Sequence, residues 1–341
     1  MPPRDRDVDI SKGSNEALGR VTKSLGGKPR GKSSTAADAA VRGALSKLGD
    51  SKLTLADGDA ASKTKKKPVA KRETIVRPNG ETYMPRLLDG IDTTDVDLLR
   101  ACREKGIPVL LAGRPGCGKT AAIEAAFGDE LLTVHAHADL EVADMVGAYS
   151  QRPDGKYKWN DGPLVVAMQE GKPLFVDDAT LAPPGVLARM YPAMDGRNKI
   201  RITEHEGEDV TAARGFVIVG AHNPGAPGAL LSEALASRFL VQAEVESDLG
   251  VAIELGVDRK VVDCAHAMRR MREAGTVGWA PEMRELLAFL RVHNAAGMDV
   301  ALGNLISAAP EDERDEVVRQ LATRFPNLRP KPLAVRMTDS Q

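Results

Sequence analysis

One eight-residue stretch constrains this chain more than any other: "GRPGCGKT", residues 113–120. Glycines at 113, 116 and 118 let the backbone turn tightly and aim successive N–H groups at phosphate oxygens. The pattern recurs by chance, so its flanks decide. Ahead of it lies "IPVLLAG" (107–113), a short apolar run bounded by Pro and Gly, which reads as a buried parallel strand. Behind it lies "KTAAIEAAF" (119–127), a run of good helix formers. Strand, glycine loop and helix place the loop at a helix N-terminus, whose dipole favours an anion. The loop comprises Gly113, Pro115, Gly116, Cys117, Gly118, Lys119, Thr120 and Ala121, all candidates for nucleotide contact. Lys119 is placed to reach β- and γ-phosphates, and the Thr120 hydroxyl to ligate magnesium. A buried parallel strand implies an α/β fold, a parallel sheet flanked by helices.

Two further apolar runs end in polar residues of the kind such a loop requires. "KPLFVDDAT" (172–180) delivers Asp177 and Asp178 at the C-terminal end of a predicted strand, the edge where ligands gather in open α/β sheets. Asp177 suits the metal side and Asp178 the polarising of an attacking water. "GFVIVGAHNP" (215–224) ends in His222 and Asn223, where Asn223 can hydrogen-bond a γ-phosphate or its water, or simply turn the chain. "SEALASRF" (232–239) is read as a helix with Arg238 at its end. From about residue 250 the pattern is helical, as in "RKVVDCAHAMRRMREAG" (259–275), with apolar residues at helical spacing and a closing Gly.

Composition separates the first 72 residues from the rest. They hold 17 Lys and Arg against 8 Asp and Glu, while the whole chain sums to −1, and the first aromatic residue is Tyr83. Without apolar bulk to offset the backbone entropy of ordering, residues 1–75 are expected to form a disordered basic tail. A short helix over 34–48 and a basic run over 63–72 lie within it, and the basic run offers a contact for nucleic acid or an acidic partner. Cys102, Cys117 and Cys264 are scattered without metal-ligand spacing, which points to a reducing cytoplasm. No signal sequence or membrane-length apolar run is present, so no membrane association is expected.

Taken in order, "GRPGCGKT", "LFVDD", "GAHNP" and "LSEALASRF" resemble the AAA+ ATPases, within them the MoxR-like branch that includes the CbbQ/NirQ-type activases and GvpN proteins. The stretch 161–197 resembles the same branch, and the resemblance covers roughly residues 83–325. It implies a P-loop NTPase large domain (76–247), a small all-α lid (248–328) and a C-terminal tail (329–341). It also implies ATP and Mg2+ as cofactors, Thr120 and Asp177 as metal-side residues, and Asp178 and Asn223 as catalytic ones. Arg238 would be a finger donated to the neighbouring subunit, and Arg284 in "APEMRELLAFL" the arginine that opens a lid helix. That last match departs from the family, whose arginine follows Ser or Thr. The family also usually carries Asp-Glu where this chain has Asp177-Asp178. The shorter carboxylate leaves open slow hydrolysis, since a misplacement of about 1 Å can cost on the order of 10²-fold in rate.

The segment 135–164 is long for a strand-to-helix link and resembles the branch's insert, a hairpin or loop near the ring's pore. Tyr157, Lys158 and Trp159 cluster there, either as an exposed aromatic tip or with Trp159 packed under the next helix. Residues 198–216 alternate as a second hairpin. The resemblance implies a homo-oligomeric ring, a hexamer, acting on a protein substrate, with a von Willebrand A-type partner in some relatives. A nucleic-acid-directed motor and a weakly hydrolysing, nucleotide-gated scaffold are the alternatives.

Overall fold

The structure is a computed structural model and describes residues 73–229 and 231–334. The expected tail, its short helix and its basic run over 1–72 lie outside the described residues. At the centre is a five-stranded, wholly parallel sheet. Before it, β1 (Ile75–Val76) and β2 (Thr82–Tyr83) pair as a small antiparallel ribbon. The central sheet then comprises β3 (Val109–Ala112), β4 (Leu132–His135), β7 (Pro173–Asp177), β10 (Val217–His222) and β11 (Val241–Glu244), in the order β11-β3-β10-β7-β4. The α/β fold with its phosphate loop after a buried strand is thus borne out.

Strand order and register explain why the polar ends of the apolar runs meet. Ala112 lies opposite His222, and Gly220 opposite Val176. The segments leaving β3, β7 and β10 therefore emerge side by side at one sheet edge. All six residues of β10 are buried between its two neighbours, so its sequence reads as one apolar run. Alternation along the strands builds two layers. Val109, Leu111, Phe175, Val217 and Val219 face one core with residues of the helices Asp95–Lys105 and Lys119–Phe127. Leu110, Leu174, Val176 and Ile218 face the other, with Leu164 and Met168 of the helix Pro163–Glu170.

Two hairpins flank that second layer. One, β5 (Gly147–Gln151) with β6 (Tyr157–Asp161), follows a short helix Val142–Val146, so the long segment between strand and helix is indeed a hairpin. The other is β8 (Lys199–Ile202) with β9 (Glu208–Thr211). Trp159 is not a tip residue. It sits mid-strand, stacks on His205 of the second hairpin at 4.7 Å and meets Tyr149 edge-on. Tyr157 stays 69% exposed, so the aromatic cluster is divided between a packed and a free member.

From residue 249 the chain is helical: Leu249–Glu254, Arg259–Glu273, Met283–Ala296, Met298–Ala308 and Arg314–Arg324. These helices close on their own core around Val261, Met268, Leu286, Phe289, Leu302 and Leu321. No helix among the described residues is long and apolar enough to cross a membrane.

Candidate nucleotide site

The phosphate loop joins β3 to the helix Lys119–Phe127, whose first residue is the motif lysine. Lys119 is 8% exposed, and its Nζ donates to the carbonyls of Gly113 at 2.8 Å and Arg114 at 3.1 Å. The loop thus satisfies a buried ammonium with its own backbone. Gly116 shows why no side chain is tolerated there. Its φ is +80°, and an added Cβ would meet the Arg284 Cβ at 2.9 Å.

That close approach is the seat of the helical C-terminal region on the loop. The Arg284 N–H donates to the Gly116 carbonyl at 3.1 Å. The helix Met283–Ala296 is opened by a reciprocal cap between Glu282 and Glu285. Glu282 is itself buried and pairs with Arg272 at 2.8 Å and Arg269 at 3.3 Å. Arg269 also chelates the Ser247 carbonyl at 3.1 Å with both terminal nitrogens, and the Ser247 hydroxyl accepts from the Met283 N–H.

One cleft collects most of the residues singled out from the sequence. Pro115, Gly116, Gly118, Lys119, Thr120 and Ala121 line it with Asp177, Asp178, Asn223 and Arg284. Gly113 and Cys117 instead face an adjoining cavity with Arg269, Arg272 and Glu282. Cys117 is buried, and burial pushes its thiol above the usual range, which suits an inert packing residue better than a redox-active one. Arg238 is absent from the lining of either.

The two acids differ. Asp177 ends β7 and is half-buried; burial, then the charge of Asp178, raises its pKa. Its Oδ1 accepts the Asp178 N–H at 3.1 Å, and its Oδ2 lies 3.7 Å from His135 Nδ1. Asp178 is exposed and takes the left-handed backbone region, φ 49° and ψ 40°. Asp and Asn tolerate that region better than longer side chains do, which gives a local reason for Asp where the family usually has Glu. Asn223 Oδ1 accepts from the Gly225 N–H at 3.3 Å, so it turns the chain as well as facing the cleft.

Arg238 was expected at a helix end. The helix is only Glu233–Ala236, and Arg238 follows two residues later. Phe239 beside it packs so close to β10 that a Cβ on Gly220 would stand 2.9 Å from the ring. The guanidinium lies over Tyr191 at 3.9 Å, one terminal nitrogen donates to the Ala234 carbonyl, and its buried Nε has no hydrogen-bond partner among the described residues.

Several residues in the cleft or against its loop carried no sequence signal. Arg77 pairs with Glu124 at 2.8 Å and with Glu81, while Glu81 also pairs with Arg291 of the lid-like helix. Arg86 donates to the Cys117 carbonyl at 2.8 Å and to the Glu246 carbonyl at 2.9 Å, and its Nε to Asp95 at 3.0 Å. Apart from Arg77–Glu81 and Arg86–Asp95, which are four and nine positions apart, these pairs join residues far apart in sequence, and no local motif announces them.

Comparison with known proteins agrees with this geometry. Residues 108–239 match the family model of the AAA domain (dynein-related subfamily). The chain is 36% identical over 194 residues to Protein NorQ of Paracoccus denitrificans, covering 53% of this chain and 69% of that protein. It is 32% identical over 190 residues to the denitrification regulatory protein NirQ of Stutzerimonas stutzeri, covering 52% and 68%. It is 32% identical over 196 residues to Protein CbbQ of Hydrogenophilus thermoluteolus, covering 53% and 72%. With the glycine loop, the acid-ended strand and the parallel sheet in place, the chain belongs to the MoxR-like AAA+ ATPases, together with NorQ, NirQ and CbbQ.

Proposed function

We propose that this ATPase assembles into a ring, a hexamer by its family resemblance, and uses ATP hydrolysis to remodel or activate a protein partner. A large domain over 76–247 and a lid over 248–328 would be its moving parts. The observation that carries the reading is a division of charge. Lys119, Asp177, Asp178, Asn223 and Arg284 share one cleft, whereas Arg238 stacks on Tyr191 outside its lining. A cation kept out of its own cleft is suited to complete another subunit's.

In this reading Lys119 exchanges the Gly113 and Arg114 carbonyls for β- and γ-phosphate oxygens, and loop N–H groups hold the remaining charge. Asp178 orients a water for attack on the γ-phosphorus as the bond to the ADP oxygen breaks, and Asn223 steadies that water or the γ-phosphate. Arg238 of a neighbour stabilises the charge developing on the transferred group. Thr120 and Asp177 fit a magnesium ion, which when bound neutralises phosphate charge. The raised pKa of Asp177 marks a carboxylate that gains from a nearby cation. The acidic balance of residues 73–341 supports a protein partner over nucleic acid.

The test is complementation. Arg238→Ala and Lys119→Ala chains, each inactive alone, should regain ATP turnover when mixed, because an intact phosphate loop then meets an intact finger. Mixed assemblies that form and stay inactive would remove Arg238 from the neighbouring site.

A further inference from the structure

The polar and charged side chains buried among the described residues are Lys119, Thr180, His222, Ser247 and Glu282. Lys119 belongs to the phosphate loop, and Ser247 and Glu282 seat the helical region on it. Thr180 and His222 are left, and they are bonded to each other: Oγ1 and Nδ1 lie 2.8 Å apart across 42 positions of sequence.

Each partner sits at a junction. His222 ends β10, and its carbonyl accepts the Gly113 N–H at 3.0 Å, where the phosphate loop begins. Its chain neighbour is Asn223, which faces the cleft. Thr180 is the middle residue of a single 3-10 turn, Ala179–Leu181, entered through the left-handed Asp178. The Leu181 N–H closes that turn on the Asp178 carbonyl at 2.8 Å. One side-chain bond therefore ties the acid-bearing turn to the strand that carries both the loop contact and Asn223.

We propose that His222 is a positioning residue for hydrolysis: by gripping Thr180 it fixes the turn that presents Asp178 to the attacking water. The proposal rests on the reading of Asp178 given above. A non-glycine residue in left-handed backbone persists where its surroundings hold it, and the buried pair supplies that hold from behind. Burial, then the charge of Lys119, keeps the His222 ring below the usual histidine range. The ring is thus neutral near pH 7, and no second cation opposes Lys119.

Steady-state turnover and ATP affinity of the full chain decide the matter, measured for Thr180→Val, His222→Ala, His222→Asn and Asp178→Asn. Thr180→Val keeps the shape and removes the hydroxyl. It and His222→Ala should each lower kcat about 10-fold or more, the scale of a sub-ångström displacement of a catalytic group, with ATP affinity within about 2-fold of wild type. His222→Asn, whose amide can occupy the Nδ1 position, should recover most of the rate. The Thr180→Val/His222→Ala double variant should be no slower than either single one, because one bond is lost in all three. Wild-type kcat in Thr180→Val, with Asp178→Asn inactive, overturns the positioning role and leaves that of Asp178 standing. Wild-type kcat in Asp178→Asn overturns the reading of Asp178, and this proposal with it. If His222→Ala does not fold, Thr180→Val decides alone.

Discussion

Lys119 and Arg238 are held by opposite means, and the contrast separates the two halves of the proposed site. Lys119 is buried and satisfied by two carbonyls of its own loop, so a phosphate only has to replace partners already in place. Arg238 lies over Tyr191, its buried Nε without a hydrogen-bond partner among the described residues, and Phe239 beside it packs against β10. One region is built to bind within a single chain. The other keeps its guanidinium on Tyr191, outside the cleft lining, as the proposed finger role requires.

Three substitutions would break or sharpen that contrast. The largest effect is expected from Arg238→Ala. A finger acting in the transition state is worth roughly 10³–10⁵ in rate, so turnover should fall by about 10³ or more while ATP titrations match wild type. A variant that instead loses affinity in proportion would place Arg238 in ground-state binding. Lys119→Ala should show the reverse pattern, with ATP affinity weakened on the order of 100-fold, the scale of removing one partner from a buried charge pair. Calorimetry with the nonhydrolysable analogue reads this directly, and unchanged binding would end the assignment of the loop. The smallest effect belongs to Tyr191→Leu. A cation–π contact contributes about 0.5–2 kcal/mol, so releasing Arg238 should change turnover by about 2-fold to 30-fold and leave affinity alone. An effect as large as that of Arg238→Ala would mean the ring does more than hold the guanidinium.

The parts of the site that could be read from the sequence are those whose chemistry is local. The strand at 109–112, the glycine loop and the helix from Lys119 are contiguous, and their residue types dictate backbone and charge together. The acid pair after β7 and Asn223 after β10 were legible for the same reason, each marking the polar end of a buried apolar run. Arg86, Arg291 and the Thr180–His222 bond were not, because their partners lie 31, 210 and 42 positions away. Trp159 shows the same limit. Its place in a hairpin or loop followed from the family resemblance, but the stacking that takes it off the tip needed His205 from a different hairpin.

By itself the sequence determined that a glycine loop fed by a buried strand opens a helix at Lys119, because backbone reach, glycine φ and side-chain charge act within a few residues. It also determined the Asp177-Asp178 pair, though not why the second is Asp, which the left-handed turn at φ 49° explains. The tertiary structure decided which strand ends meet, through the order β11-β3-β10-β7-β4. It decided that Arg284 closes on Gly116 and that Arg238 lies outside the cleft lining. Such pairings depend on the register of parallel strands and on chain closure over long separations, and no local propensity encodes either.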